Sequence, residues 1–320
     1  MGFDLANQTP TPDNISQITG MLWPKEKRVL YYLGAKLYSG IGDIVELGCY
    51  VGLSTSCLAR GVADNARITN KQKRIHTYDW FQFLDHPPYN ESMNKLGVAV
   101  DQNLVNIFIT NTRPWASMID LHQGDLLEQS WIGQPIEILF VDAAKTWQLN
   151  DHIVQTFFPS LIPGYSYVAH QDYLYWHNPW VPITMEWLGD CFEVVDCSAT
   201  TVTFKLIKPL PIDRLRQGVR GLPNAAKIAL MDRALARAHG PAKPILMVTK
   251  ARLLSELEGW EPANKLLDEI VRTHSESSLI PKYIQEIREW EARETKTPFP
   301  DCLLPPEHAS LGQIVGGGRE

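Results

Sequence analysis

The chain has 320 residues, 44% of them hydrophobic, enough for one large α/β domain with an appendage or for two modest domains around a real core. A net charge of −6 offers no general attraction to phosphate backbones or anionic lipid, so neither nucleic acid nor a membrane surface is an expected partner. Five scattered cysteines (Cys49, Cys57, Cys191, Cys197 and Cys302), with no C-x-x-C pair, indicate neither a disulfide framework nor a structural zinc.

In chain order, residues 1–20 read as an N-terminal extension. They hold no apolar stretch of a secretory signal and no Ser or Thr at position 6, where a myristoylation signal wants one. No uncharged apolar stretch approaches membrane-spanning length, so the expectation is a soluble, cytoplasmic protein. From about Met21 to Leu206 (domain 21–208), strand-like runs at 44–47, 74–79, 118–123, 136–142 and 165–170 alternate with helix-period segments at 54–63, 91–108 and 147–161. That alternation predicts an α/β fold with a parallel sheet covered on both faces. Runs at 192–196 and 201–206 are too close for a parallel crossover and predict an antiparallel hairpin at one edge.

After Pro209 and Pro211 the composition shifts to Ala, Leu, Lys, Glu and Arg at helical spacing, predicting a small C-terminal α-helical module over 209–296 with helices at 224–238, 245–258, 262–274 and 280–293. Within it Ala251, Leu253, Leu254, Gly259, Trp260, Ala263 and Leu267 resemble the core of a single tetratricopeptide repeat. One repeat cannot bury its own apolar face, so the module is expected to cap the main domain, with a homo-oligomer or a protein partner as the alternative use of these helices. Residues 297–320 read as a flexible tail.

The segment 43–55, DIVELGCYVGLST, is a buried strand running into a glycine-bearing turn and a helix. In an open α/β sheet that turn is where a nucleotide-like ligand sits. Gly48 supplies freedom for the turn, Gly52 lets the helix start lie close to the ligand, and Ser54 and Thr55 offer hydroxyls and N–H groups to a carboxylate. Tyr50 replaces the middle glycine of a dinucleotide fingerprint, which disfavours NAD and leaves the whole Glu46–Thr55 turn, Tyr50 included, as the candidate cofactor-binding segment. Asp79 at the end of the next strand is placed to accept two ribose hydroxyls, Asp125 follows the third strand and is placed to accept from an adenine amino group, and Asp142 ends the fourth.

These motifs, together with YDWF (78–81), QGDL (123–126), FVDAAK (140–145) and HQDY (170–173), resemble the class I methyltransferases, within them the macrocin, caffeoyl-CoA and catechol O-methyltransferase group. The resemblance covers about 21–206. It implies a Rossmann-like, seven-stranded sheet with an antiparallel last strand, Glu46, Gly48, Asp79 and Asp125 around S-adenosylmethionine, and a divalent metal, usually magnesium, near Asp142 and the end of the fifth strand. Gln171 and Asp172 are the further oxygen donors there. Lys145 matches the family's D-x-x-K lysine as base or orienter, and His170 is a second candidate base because its ordinary pKa lies near working pH. The chain departs from the family at Ala144 and Gln171, where relatives carry acids. Tyr173 and Trp176 are expected to wall the pocket of a hydroxylated small-molecule acceptor, a sugar or specialised metabolite. The expected activity is O-methylation; the rival expectations are a non-catalytic, cofactor-binding scaffold and a metal-independent methyltransferase using His170.

Overall fold

The computed structural model describes residues 5–8, 12, 15, 17–82, 93–95, 97, 104–274 and 279–294. Seven strands make one sheet: β1 (Asp43–Leu47), β2 (Ile75–Asp79), β3 (Ile119–Gln123), β4 (Ile136–Val141), β5 (Tyr167–His170), β6 (Phe192–Ser198) and β7 (Thr201–Leu206). Their order is β3-β2-β1-β4-β5-β7-β6. The pairs from β3 through β5 are parallel, and β7 runs antiparallel to both β5 and β6. The hairpin therefore forms as expected, but its second strand inserts beside β5 and leaves β6 at the edge. This is the class I methyltransferase sheet.

β1 and β4 are buried along their whole length, as strands covered on both faces must be. On one face Ile44, Ile75, Ile138 and Phe140 pack under α1 (Pro24–Tyr32), α2 (Leu53–Asp64) and α3 (Leu104–Thr112). On the other, Val45, Leu47, Leu139, Val141 and Val168 meet α4 (Trp147–Thr156) and α5 (Trp180–Trp187). Helix α1, which the spacing of the sequence does not reveal, starts with Pro24 at its first position, where a missing N–H costs nothing.

The C-terminal helices are α6 (Ile212–Gln217), α7 (Asn224–Arg237), α8 (Ala242–Leu257), α9 (Trp260–Thr273) and α10 (Ile280–Glu294). Leu246, Val248 and Ala251 of α8, Leu267 and Ile270 of α9 and Ile284 and Ile287 of α10 join the same apolar cluster as β4 and β5. The change of composition at Pro209 is thus not a break in packing. At the other end Leu5, Ala6 and Ile15 are buried against the α1 face, so these described parts of the extension are core. Of the helix expected over 91–108, residues 104–108 lie in α3; most of the remainder, and the tail 297–320, lie outside the described residues. No described helix is long and apolar enough to cross a membrane.

Candidate functional site

At the carboxyl end of β1 the chain turns through Gly48 at φ +90° and Tyr50 at φ +48° before α2 begins. A Cβ on Gly48 would lie 3.0 Å from the carbonyl carbon of Asp142, so the glycine is what lets the β1 turn and the end of β4 close together. Gly52 serves a different neighbour from the one expected: a Cβ there would meet Thr112 Cγ2 at 2.7 Å and the Phe108 ring at 3.0 Å, so it makes room for α3 and not for a ligand. As N-cap of α2 it brings no side chain to the first-turn amides, which leaves the helix N-terminus to an anion.

Asp79 closes β2 and organises this turn. Its Oδ2 accepts the Tyr50 amide and its Oδ1 the Phe81 amide, each at 2.7 Å, and the Gly124 amide donates to its carbonyl at 3.0 Å. Burial raises the Asp79 pKa, while the Phe81 and Tyr50 amides oppose the shift. Asp125 beside it caps the short turn Leu126–Glu128, accepting the Leu127 amide at 2.9 Å.

Three residues expected to touch a cofactor face inward instead. Glu46 and Thr55 are fully buried, and Thr55 Oγ1 donates to Glu46 Oε2 at 2.6 Å. Ser54 is buried beside them, and burial pushes the Glu46 carboxyl up to about 7. The three form a brace behind the turn. All three side chains are buried, so the groups the start of α2 offers outward are its backbone amides.

Beyond β4, Lys145 Nζ stands 2.8 Å from Asp142 Oδ1 and 2.6 Å from Asp172 Oδ2. Asp172 reaches this position from a left-handed backbone, φ +60°, a conformation that Asp tolerates better than most residues. The side chains stay reachable, at 29% exposure for Asp142, 38% for Lys145 and 21% for Asp172. Burial pushes the Asp142 carboxyl up to about 7; the ammonium of Lys145 opposes the shift and the charge of Asp172 adds to it.

Gln171 and His170 do not join them. Gln171 Nε2 donates to Glu26 Oε1 at 3.3 Å and to Thr200 Oγ1 at 3.1 Å, and its Oε1 contacts Thr201 Oγ1. Glu26, on α1, also accepts the Thr200 amide and hydroxyl, at 3.1 and 2.9 Å. His170 is 1% exposed, neither of its ring nitrogens has a hydrogen-bond partner, and burial pulls it down to about 3. That value makes it a feeble base at neutral pH. The residues therefore do not fit the expected metal set: one donor of three is turned away, and an ammonium fills the space between the other two.

Tyr173 and Trp176 are core residues, 8% and 3% exposed. The Tyr173 ring lies 5.4 Å from Phe204, and Trp176 Nε1 donates to Glu286 Oε2 of α10 at 2.8 Å. The aromatics beside the carboxylates are Tyr175 and Tyr283, with ring centres 6.2 Å apart. Burial pushes up both phenols, and the negative charges of Glu286 and Asp172 add to the effect. Sequence spacing does not bring Tyr283 or Glu26 into this neighbourhood; the only local signal for Glu26 is an acid three residues after the N-cap Trp23.

Residues 45–172 match a family model described as a methyltransferase domain. No curated protein matches the chain. Among solved structures it is similar to CalS11, a TDP-rhamnose 3'-O-methyltransferase of calicheamicin biosynthesis, at 17% identity and TM-score 0.42 over 63% of this chain and 90% of that one. It is similar to the O-methyltransferase NovP at 13% identity and TM-score 0.42, over 57% and 78%. An O-methyltransferase from Bacillus cereus, in complex with SAH, aligns at 14% identity and TM-score 0.43, over 63% and 93%. Residues 45–172 are thus similar to a methyltransferase domain, and they contribute five of the seven strands of the sheet.

Proposed function

We propose that the chain methylates a hydroxyl group of a small molecule, with Asp142 as general base, Lys145 as orienter and no metal ion in the step. The observation that carries this reading is the Asp142–Lys145–Asp172 bridge at the ends of β4 and β5, beside the glycine turn. S-adenosylmethionine supplies an electrophilic methyl on a sulfonium when bound; its fit rests on Asp79 and on the uncapped start of α2. Asp79 holds the Tyr50 turn open and retains lone pairs for ribose hydroxyls. The first-turn amides of α2 would hold the amino-acid carboxylate.

An acceptor hydroxyl becomes a good nucleophile as it loses its proton. A carboxylate with a pKa near 7 is matched to take that proton at neutral pH. Lys145 keeps Asp142 pointed at the acceptor and offers an ammonium proton to the oxygen as negative charge develops there. Asp172 fixes the ammonium from the other side. The rest of the rate advantage is placement of the acceptor in line with the methyl group. A hydroxylated sugar or ring is the acceptor class suited to carboxylates flanked by the Tyr175 and Tyr283 rings.

The test is methyl transfer from labelled cofactor to a panel of hydroxylated small molecules, with added magnesium and after exhaustive chelation. The expected result is equal turnover in both conditions and a fall of at least a hundredfold in Asp142→Asn with cofactor affinity kept. Turnover that disappears on chelation and returns with magnesium overturns the metal-free reading.

A further inference from the structure

We propose a second, separate site in this molecule: His76, Asp120 and His122, on one face of β2 and β3, bind a zinc ion and tie the outer strand of the sheet to its neighbour. The cysteine pattern shows no zinc site, but this cluster contains no cysteine. One nitrogen of each imidazole and a carboxylate oxygen of Asp120 lie within 4.8 Å of one another.

The register brings them together. His76 is directly opposite Asp120, and Tyr78 opposite His122, in the parallel β2–β3 ladder. Because strand side chains alternate, Asp120 and His122 share the face that carries His76. His76 Nδ1 and His122 Nε2 are 3.2 Å apart, and His76 Nδ1 is 3.8 Å from Asp120 Oδ2. Zinc bonded to nitrogen at about 2.0–2.1 Å with tetrahedral angles sets neighbouring ligand atoms about 3.3 Å apart. The two imidazoles already span one edge of such a tetrahedron, and a water completes the fourth position.

The groups around the cluster orient it. His76 Nε2 faces Asp43 Oδ2 at 3.5 Å, and Arg74 Nη1 lies 2.8 Å from Asp43 Oδ1. A carboxylate on the far nitrogen of a histidine fixes the tautomer whose lone pair points at the metal, here from Nδ1. Tyr78 stacks on the His122 ring with centroids 4.3 Å apart, and Trp131 meets His76 edge-on at 4.9 Å. Lys73 Nζ holds Asp120 Oδ1 at 2.8 Å, so Oδ2 is the oxygen turned to the site. None of these residues belongs to the cofactor turn or to the Asp142–Lys145–Asp172 bridge.

The experiment titrates Zn²⁺ by calorimetry into the full-length chain after chelation, then repeats it with His122→Gln, Asp120→Asn and Asp142→Asn. One equivalent should bind the unaltered chain, with affinity at least tenfold weaker in the first two variants and unchanged in Asp142→Asn. Co²⁺ in place of zinc should give the intense visible absorption of a four-coordinate site in the unaltered chain, a readout that survives if a variant folds poorly. Absence of stoichiometric zinc binding, a six-coordinate cobalt spectrum, or binding lost only in Asp142→Asn would each overturn the proposal.

Discussion

Trp176 Nε1 and Glu286 Oε2 are joined by a 2.8 Å hydrogen bond across 110 residues of chain, linking the loop after β5 to α10, the last described helix. Around it the Tyr175 and Tyr283 rings are 6.2 Å apart, and the His177 and Trp290 rings 4.8 Å. The C-terminal helices therefore form the far wall of the loop that carries Asp172. Trp176→Ala deletes a buried indole and should destabilise the protein by about 3–5 kcal/mol, read as a lowered urea midpoint. A chain ending near Pro211 should fail to give a cooperative unfolding transition, because it exposes Trp176 and Trp180; a cooperative melt of that fragment would contradict the shared core.

Asp79→Ala removes a carboxylate that holds two backbone amides and is expected to hold the ribose. Hydrogen bonds to charged groups are worth about 1.5–3 kcal/mol each, so cofactor affinity should drop by at least tenfold in calorimetry. Unchanged affinity would remove Asp79 from the cofactor site.

The acid limb of turnover should report Asp142. With its carboxyl raised to about 7, the ionised base is lost as pH falls, so kcat should decline below about pH 7 and level off above it. Lys145→Met takes away the ammonium that opposes the rise, and the limb should move to higher pH along with a lower plateau. A profile that stays in place in this variant would argue against the pairing.

Glu46 makes a prediction about stability. Its folded pKa is raised from 4.5 to about 7, so the folded state holds this proton more tightly than the unfolded chain. The resulting stability is fully present below about pH 4.5 and is lost as pH rises through 7. Glu46→Gln keeps an acceptor for Thr55 Oγ1 and does not titrate. Compared with wild type, its urea midpoint should gain ground steadily between pH 4.5 and 7; parallel curves would deny the buried proton.

Much of the sheet is legible in the sequence because buried parallel strands write themselves as short apolar runs, and Asp79 and Asp142 lie at the strand ends where such runs stop. What the sequence does not display is the direction a side chain takes after a strand ends. His170, Gln171 and Asp172 are consecutive, yet one is sealed in the core, one bonds Glu26 across 145 residues of chain, and one reaches Lys145 through a left-handed backbone turn. Ser54 and Thr55 likewise read as ligand-facing hydroxyls until the Glu46 carboxyl beneath them is seen. Tyr175 and Tyr283 are neighbours only because α10 folds back over the sheet, a contact that local periodicity cannot encode.

The position of α10 also has an evolutionary consequence. The residues proposed to hold the cofactor lie between Gly48 and Asp125, whereas Tyr283 and Glu286, near the proposed base Asp142 and its partners, come from the last described helix. On the proposed reading, substitutions along one face of that helix would reshape the acceptor wall without altering any proposed cofactor contact. Duplicated copies of such a gene would then be free to diverge in what they modify, with their shared methyl donor undisturbed.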